Sequence, residues 1–123
     1  MWRQTLKATL ALVAVGLAST AAYAHADLKA AIPAANGSTK TEVKEIRLSF
    51  SEGVNPKFSG VELKDQGGKA IAVGTAAIDP KNKKELVVPL LAPLPAGTYT
   101  VDWHAVSDDT HRVKGQYRFK VER

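Results

Sequence analysis

Apolar and polar residues alternate with a period of two along most of this chain, and that pattern limits what it can fold into. Ile46, Leu48 and Phe50 alternate with Arg47 and Ser49. Val61 and Leu63 flank Glu62, with Lys64 following. Tyr99, Val101 and Trp103 alternate with Thr100, Asp102 and His104, and Tyr117, Phe119 and Val121 with Arg118, Lys120 and Glu122. Side chains two apart on a strand share a face, so each run offers one face to a core and the other to water. Leu86-Val87-Val88-Pro89-Leu90 is a shorter, more apolar run, and Pro89 marks an edge or a strand end. Turn residues separate the runs: Asn36-Gly37-Ser38, Asn55-Pro56, Asp65-Gln66-Gly67-Gly68, Asp79-Pro80 and Pro95-Ala96-Gly97. With no helix-length amphipathic segment, the expected fold is all-β, an antiparallel Greek-key barrel or sandwich.

The first two dozen residues do not share this pattern. Arg3 and Lys7 precede the apolar run Leu10–Ala18, and Ala22-Tyr23-Ala24 has the small-x-small form that signal peptidase cuts after. The run is shorter than the roughly 20 apolar residues of a membrane span. Residues 1–24 therefore read as a signal peptide, with a retained anchor as the alternative, and residues 25–123 as one domain. Export places the mature chain in the periplasm and makes His25 its first residue.

Composition narrows the chemistry. The chain has no cysteine, which excludes disulfides, thiolate zinc sites and redox thiols. Its formal charge of +5 falls to +3 without Arg3 and Lys7, too mild and scattered for nucleic acid. Lys81-Asn82-Lys83-Lys84 reads as a solvated basic turn, with a membrane-surface or anionic partner patch as its alternative.

Three histidines remain: His25, His104 and His111. Asp109 and His111 are two apart, so in an extended segment a carboxylate and an imidazole point to one side. An Asp-x-His pair alone is also an ordinary loop pattern. A free N-terminal His25 strengthens it, because its α-amine and ring nitrogen close a chelate on a single metal. The amine has an ordinary pKa near 8 and deprotonates readily when a metal competes. A second imidazole and a carboxylate complete an N3O set suited to tetragonal Cu(II). The only methionine is Met1, so the mature chain offers Cu(I) no thioether. His104 falls on the polar side of its strand, opposite Trp103, and reads as solvent-facing.

Several motifs together resemble the CopC family of periplasmic copper-resistance proteins, in particular its YobA-like branch. They are His25-Ala26-x-Leu28, Pro33-Ala34-Ala35, Leu48-Ser49-Phe50-Ser51-Glu52, Pro95-Ala96-Gly97-Thr98-Tyr99-Thr100-Val101 and the set Trp103, Val106, Ser107, Asp109, His111. The resemblance spans residues 25–123. It implies an immunoglobulin-like or cupredoxin-like β domain with a Cu(II) site formed by His25, Asp109 and His111. It also implies a non-enzymatic, monomeric carrier or sequestering protein, with an inner-membrane CopD-type importer as a candidate recipient. Glu52 falls where the family can place a carboxylate near copper, and otherwise reads as a strand-end charge. Two departures stand out. Thr110 replaces the glycine usual between Asp and His, and its β-branch disfavours positive φ, so a differently shaped loop is expected. The Met-rich Cu(I) site of some relatives is missing. Two other readings stay open: a histidine-brace copper monooxygenase, and a metal-free sandwich that binds another protein.

Overall fold

The computed structural model describes residues 27–122. The proposed signal peptide and His25 lie outside them. Among the described residues, nine strands form two sheets. One sheet is built from β1 (Leu28–Ile32), β3 (Glu45–Phe50), β7 (Asn82–Pro89) and β6 (Ala77–Asp79), in the order β1-β3-β7-β6. The other runs β2-β9-β8-β4-β5, from β2 (Ser38–Thr39), β9 (Arg112–Val121), β8 (Gly97–Val106), β4 (Gly60–Lys64) and β5 (Ala70–Ile71). A 3-10 turn over Pro56–Phe58 is the sole helical element among the described residues.

All pairings are antiparallel except one. Strand β2 lies parallel to β9, with Ser38 opposite Lys120 and Thr39 opposite Val121. The one parallel pair arises because the chain crosses from β1, at an edge of one sheet, to β2 at an edge of the other. Its backbone is tied down by Asn36 N–H to Arg118 O (2.7 Å) and Lys120 N–H to Gly37 O (2.9 Å).

The alternating runs supply the facing surfaces. Ile46, Leu48 and Phe50 of β3 and Leu86 and Val88 of β7 are buried against Leu63, Tyr99, Val101, Phe119 and Val121 of the second sheet. Each such side chain stabilises the fold by roughly 1.5–3 kcal/mol before the entropy of ordering it is subtracted. Tyr99 stacks on Phe119 with ring centroids 5.6 Å apart. Its hydroxyl donates to Pro95 O at 2.5 Å, which fixes the corner where the chain enters β8. Pro89 ends β7, where no further ladder bond is needed.

On the outer face of the first sheet, Arg47 donates to Asp79 (2.9 Å) and also to Glu45 and Glu85, bridging β3, β7 and β6.

Trp103 points inward from β8. It meets Phe50 edge to face at 5.5 Å and closes the gap between the sheets near one end of the sandwich. Its cross-strand partner is Gly115, where a Cβ would lie 2.6 Å from the indole Cζ2. Only a glycine leaves room for that ring. Replacing Gly115 with alanine should cost about 1–3 kcal/mol by pushing the indole off Phe50. Chemical denaturation of the two proteins checks this, and equal stabilities would show that the ring shifts freely.

Candidate metal site

The turn between β8 and β9 is built from hydrogen bonds within five residues. Val106 opposite Arg112 is the last ladder pair. Beyond it, Ser107 N–H donates to His111 O (2.9 Å) and Thr110 N–H to Ser107 O (2.8 Å). This leaves a three-residue loop, Asp108-Asp109-Thr110, whose last residue is left-handed: Thr110 has φ +70°. Three-residue hairpin loops take that conformation at their final position, usually with glycine. Thr110 takes the positive φ that its β-branch disfavours. Ladder closure on both sides of the turn dictates a positive φ, and the β-branched residue accepts it. Thr110 Oγ1 donates to Asp109 O at 2.6 Å in that conformation.

Asp109 and His111 meet, with Oδ1 and Nδ1 3.1 Å apart. The reason differs from simple strand alternation, because Asp109 lies in the turn and the left-handed Thr110 folds the chain back between the two side chains. Both are about half exposed. Two donors each about 2.0 Å from a metal and at right angles are roughly 2.8 Å apart, so a small closing movement fits this pair to adjacent positions on one ion. Nitrogen and carboxylate oxygen suit Cu(II) or Zn(II).

Ser107 positions the carboxylate. It is 1% exposed, its hydroxyl accepts from His111 N–H (3.2 Å) and donates to Asp109 Oδ1. The Ser107 hydroxyl, and then the His111 ring, hold the Asp109 carboxyl below the usual carboxylate range. Its ionised form therefore favours the fold above pH about 4, and this contribution is lost as pH falls through the lowered value. Near neutrality Asp109 is an anion ready to bind a cation. Sequence reasoning named Ser107 only within a motif. The signal for its role is a serine at the close of an inward-facing row, two residues before the carboxylate.

A second loop supports the first. Val54 forms a bridge to Ser107, Asn55 N–H donates to Val106 O (2.8 Å), and Asp108 N–H donates to Gly53 O (3.0 Å). A Cβ on Gly53 would lie 2.3 Å from Asp108 Oδ2, so a side chain there would turn the exposed Asp108 carboxylate away. This contact sets Glu52 beside the turn. Its side chain is half-buried and makes no hydrogen bond or ion pair among the described residues.

The same segment receives the start of the described chain. Asp27 N–H donates to Ser51 Oγ and Ser51 N–H to Asp27 O, both at 2.8 Å. His25 precedes Asp27 by two residues, a reach of about 7 Å when extended.

His104 is not brought to the pair. It projects from the outer face of β8 between Gly60 and Lys114, and a Cβ on Gly60 would touch its ring at 3.3 Å. Among the described residues, no three His, Cys, Asp or Glu side chains converge on one point.

A CopC domain matches residues 28–122. The chain belongs to the CopC family. Protein YobA of Escherichia coli K12 is 40% identical to it over 119 residues, covering 97% of this chain and 96% of its own. Among solved structures, CopC from Methylosinus trichosporium OB3b superposes with a TM-score of 0.74 at 31% identity, covering 80% of this chain and 94% of that one. PcoC, described as a methionine-rich copper resistance protein from Escherichia coli, superposes with a TM-score of 0.73 at 38% identity, covering 80% and 100%. This CopC-family chain departs from that description, with Met1 its only methionine.

Replacing Thr110 with glycine should stabilise the domain by about 1 kcal/mol, because a left-handed β-branched residue costs more than the chain entropy glycine adds. Thermal unfolding of the pair reads this directly, and a destabilised glycine variant would contradict it.

Proposed function

We propose that this chain is a periplasmic Cu(II)-binding protein of copper homeostasis and resistance, holding one ion per mature chain. The ligands are the α-amine and ring nitrogen of His25, the Asp109 carboxylate and the His111 imidazole. One observation carries the reading. The Asp109–His111 pair sits on a loop braced by Gly53 and Val54, and Ser51 of that same brace anchors Asp27, two residues from His25. A cut after Ala24 would free an amine at that end of the fold. Glu52, beside the same turn, is an additional candidate donor.

Family membership and a relative described as a copper resistance protein support copper as the cargo. With no cysteine and no methionine beyond Met1, the expected oxidation state is Cu(II). A carrier fits better than an oxygenase, because the anionic Asp109 would fill a position that oxygen activation needs open. The protein would act as a monomer that sequesters copper or hands it to an inner-membrane CopD-type importer, with residues 1–24 as signal peptide and 25–123 as the copper-binding domain.

A chelator-competition titration tests the site. The mature protein should take up one Cu(II), with a nitrogen-rich type 2 electron paramagnetic resonance spectrum. Asp109→Asn and His111→Ala should each weaken binding at least tenfold, and His104→Ala should leave it unchanged. Ser107→Ala should also cost roughly tenfold, the usual penalty for losing a residue that orients a ligand. One glycine added before His25 should abolish the tight phase, because it converts the amine to a peptide nitrogen. Equal affinities with and without that glycine would exclude the N-terminal chelate. Affinity should fall as pH drops from 8 toward 5, because protons compete for the amine and imidazole nitrogens, while Asp109 stays ionised throughout that range.

A further inference from the structure

The end of the sandwich that carries the Asp109–His111 turn has a second surface which the copper reading does not use. Phe58 stands 61% exposed on the 3-10 turn, an unusual position for a phenylalanine. The sequence explains its position. Asn55 caps the turn by accepting from Lys57 N–H (2.9 Å), and Ser59 Oγ donates to Asn55 O (2.7 Å) and accepts from Val106 N–H (3.0 Å). The turn is thus fastened to β8 on one side, and it packs beside β6 on the other. Phe58 is held outward by these bonds.

Cations surround this ring. With His104, Val106, Arg112 and Lys114 it lines a shallow depression of about 310 Å3 that contains no carboxylate. Lys57 precedes it. Strand β6 leads through Pro80 into the exposed Lys81, Lys83 and Lys84 at the tip of the β6–β7 hairpin. None of Lys57, Lys81, Lys83, Lys84, Arg112 or Lys114 forms an ion pair among the described residues. Of the carboxylates close by in sequence, Asp79 and Glu85 are engaged with Arg47, and Asp109 with Ser107 and His111, while Glu52, Glu62 and Asp108 form no ion pair among the described residues. The basic turn is exposed, as read from sequence, and lies at the same end of the sandwich.

We propose that this surface docks on an anionic phospholipid bilayer, with Phe58 entering the headgroup region and the surrounding cations facing lipid phosphates. An acidic protein is the other occupant that charge complementarity admits. The composition favours lipid. Five of the six cations are lysine, which protein interfaces disfavour. One exposed aromatic among exposed lysines needs no shape match and is the chemistry of peripheral attachment to an anionic membrane.

Sedimentation with vesicles tests the proposal, using metal-free protein so that the result is independent of the copper site. The protein is recovered after secretion, and its N-terminus is read by mass spectrometry and is identical in all variants. It should sediment with vesicles of equal parts phosphatidylglycerol and phosphatidylcholine, stay in solution with phosphatidylcholine alone, and be released by high salt. Phe58→Ser, checked for folding by circular dichroism, should lower the partition about tenfold. Lys83→Gln and Lys84→Gln should each lower it about fivefold. Failure to bind anionic vesicles, equal binding to neutral ones, or partition indifferent to all three substitutions would overturn the proposal. Capture by immobilised polyglutamate without vesicle binding would overturn it in favour of an acidic protein.

Discussion

Ten consecutive cross-strand pairs, from Gly97–Val121 to Val106–Arg112, tie β8 to β9 and give the molecule its longest ladder. One face of that hairpin supplies Tyr99, Val101, Ala105, Tyr117, Phe119 and Val121 to the core. Its tip carries Asp109 and His111. Core and candidate site are thus two parts of one element. The ladder fixes where the turn must close, closure demands a left-handed Thr110, and that conformation sets the carboxylate beside the imidazole. Without the ladder the two side chains would be neighbours in sequence with no common direction.

The other elements at this end brace the tip. The segment Ser51–Asn55 bonds to Val106 and Asp108 and receives Asp27 at Ser51. Trp103 fills the gap behind the tip against Phe50. The polar core elements here are two buried hydroxyls: Ser107, satisfied by a backbone N–H and a carboxylate, and Ser59, satisfied by Asn55 O and Val106 N–H. Elsewhere the buried Tyr117 hydroxyl has no hydrogen-bond partner, and its burial raises the phenol pKa well above the ordinary value. Its ring packs in the core regardless, so the apolar body of that side chain outweighs its polar end.

Much of the fold was legible in the residues. The five long alternating or apolar runs became β3, β4, β7, β8 and β9, because alternation with one buried face is a direct consequence of strand geometry. The short strands were not legible. Leu28–Ile32 reads as Leu-Lys-Ala-Ala-Ile, with small residues on an edge that pairs only β3, and β2 and β5 are two residues each. Such elements owe their existence to a neighbour's free edge, which local sequence does not encode. Of the candidate site, the pairing of Asp109 with His111 was legible by spacing, though the turn achieves it, and the placement of His104 on the polar face followed from alternation. The bracing of the turn by Gly53 and Val54 was not legible, since it depends on a contact between segments far apart in the chain.

That last contact has a consequence for how the sequence can drift. Gly53 and Asp108 occupy the same small volume, with the Asp108 carboxylate where any side chain at 53 would begin. A side chain gained at 53 turns the exposed Asp108 carboxylate away. The conformation of residue 108, rather than its identity, therefore absorbs a change at 53.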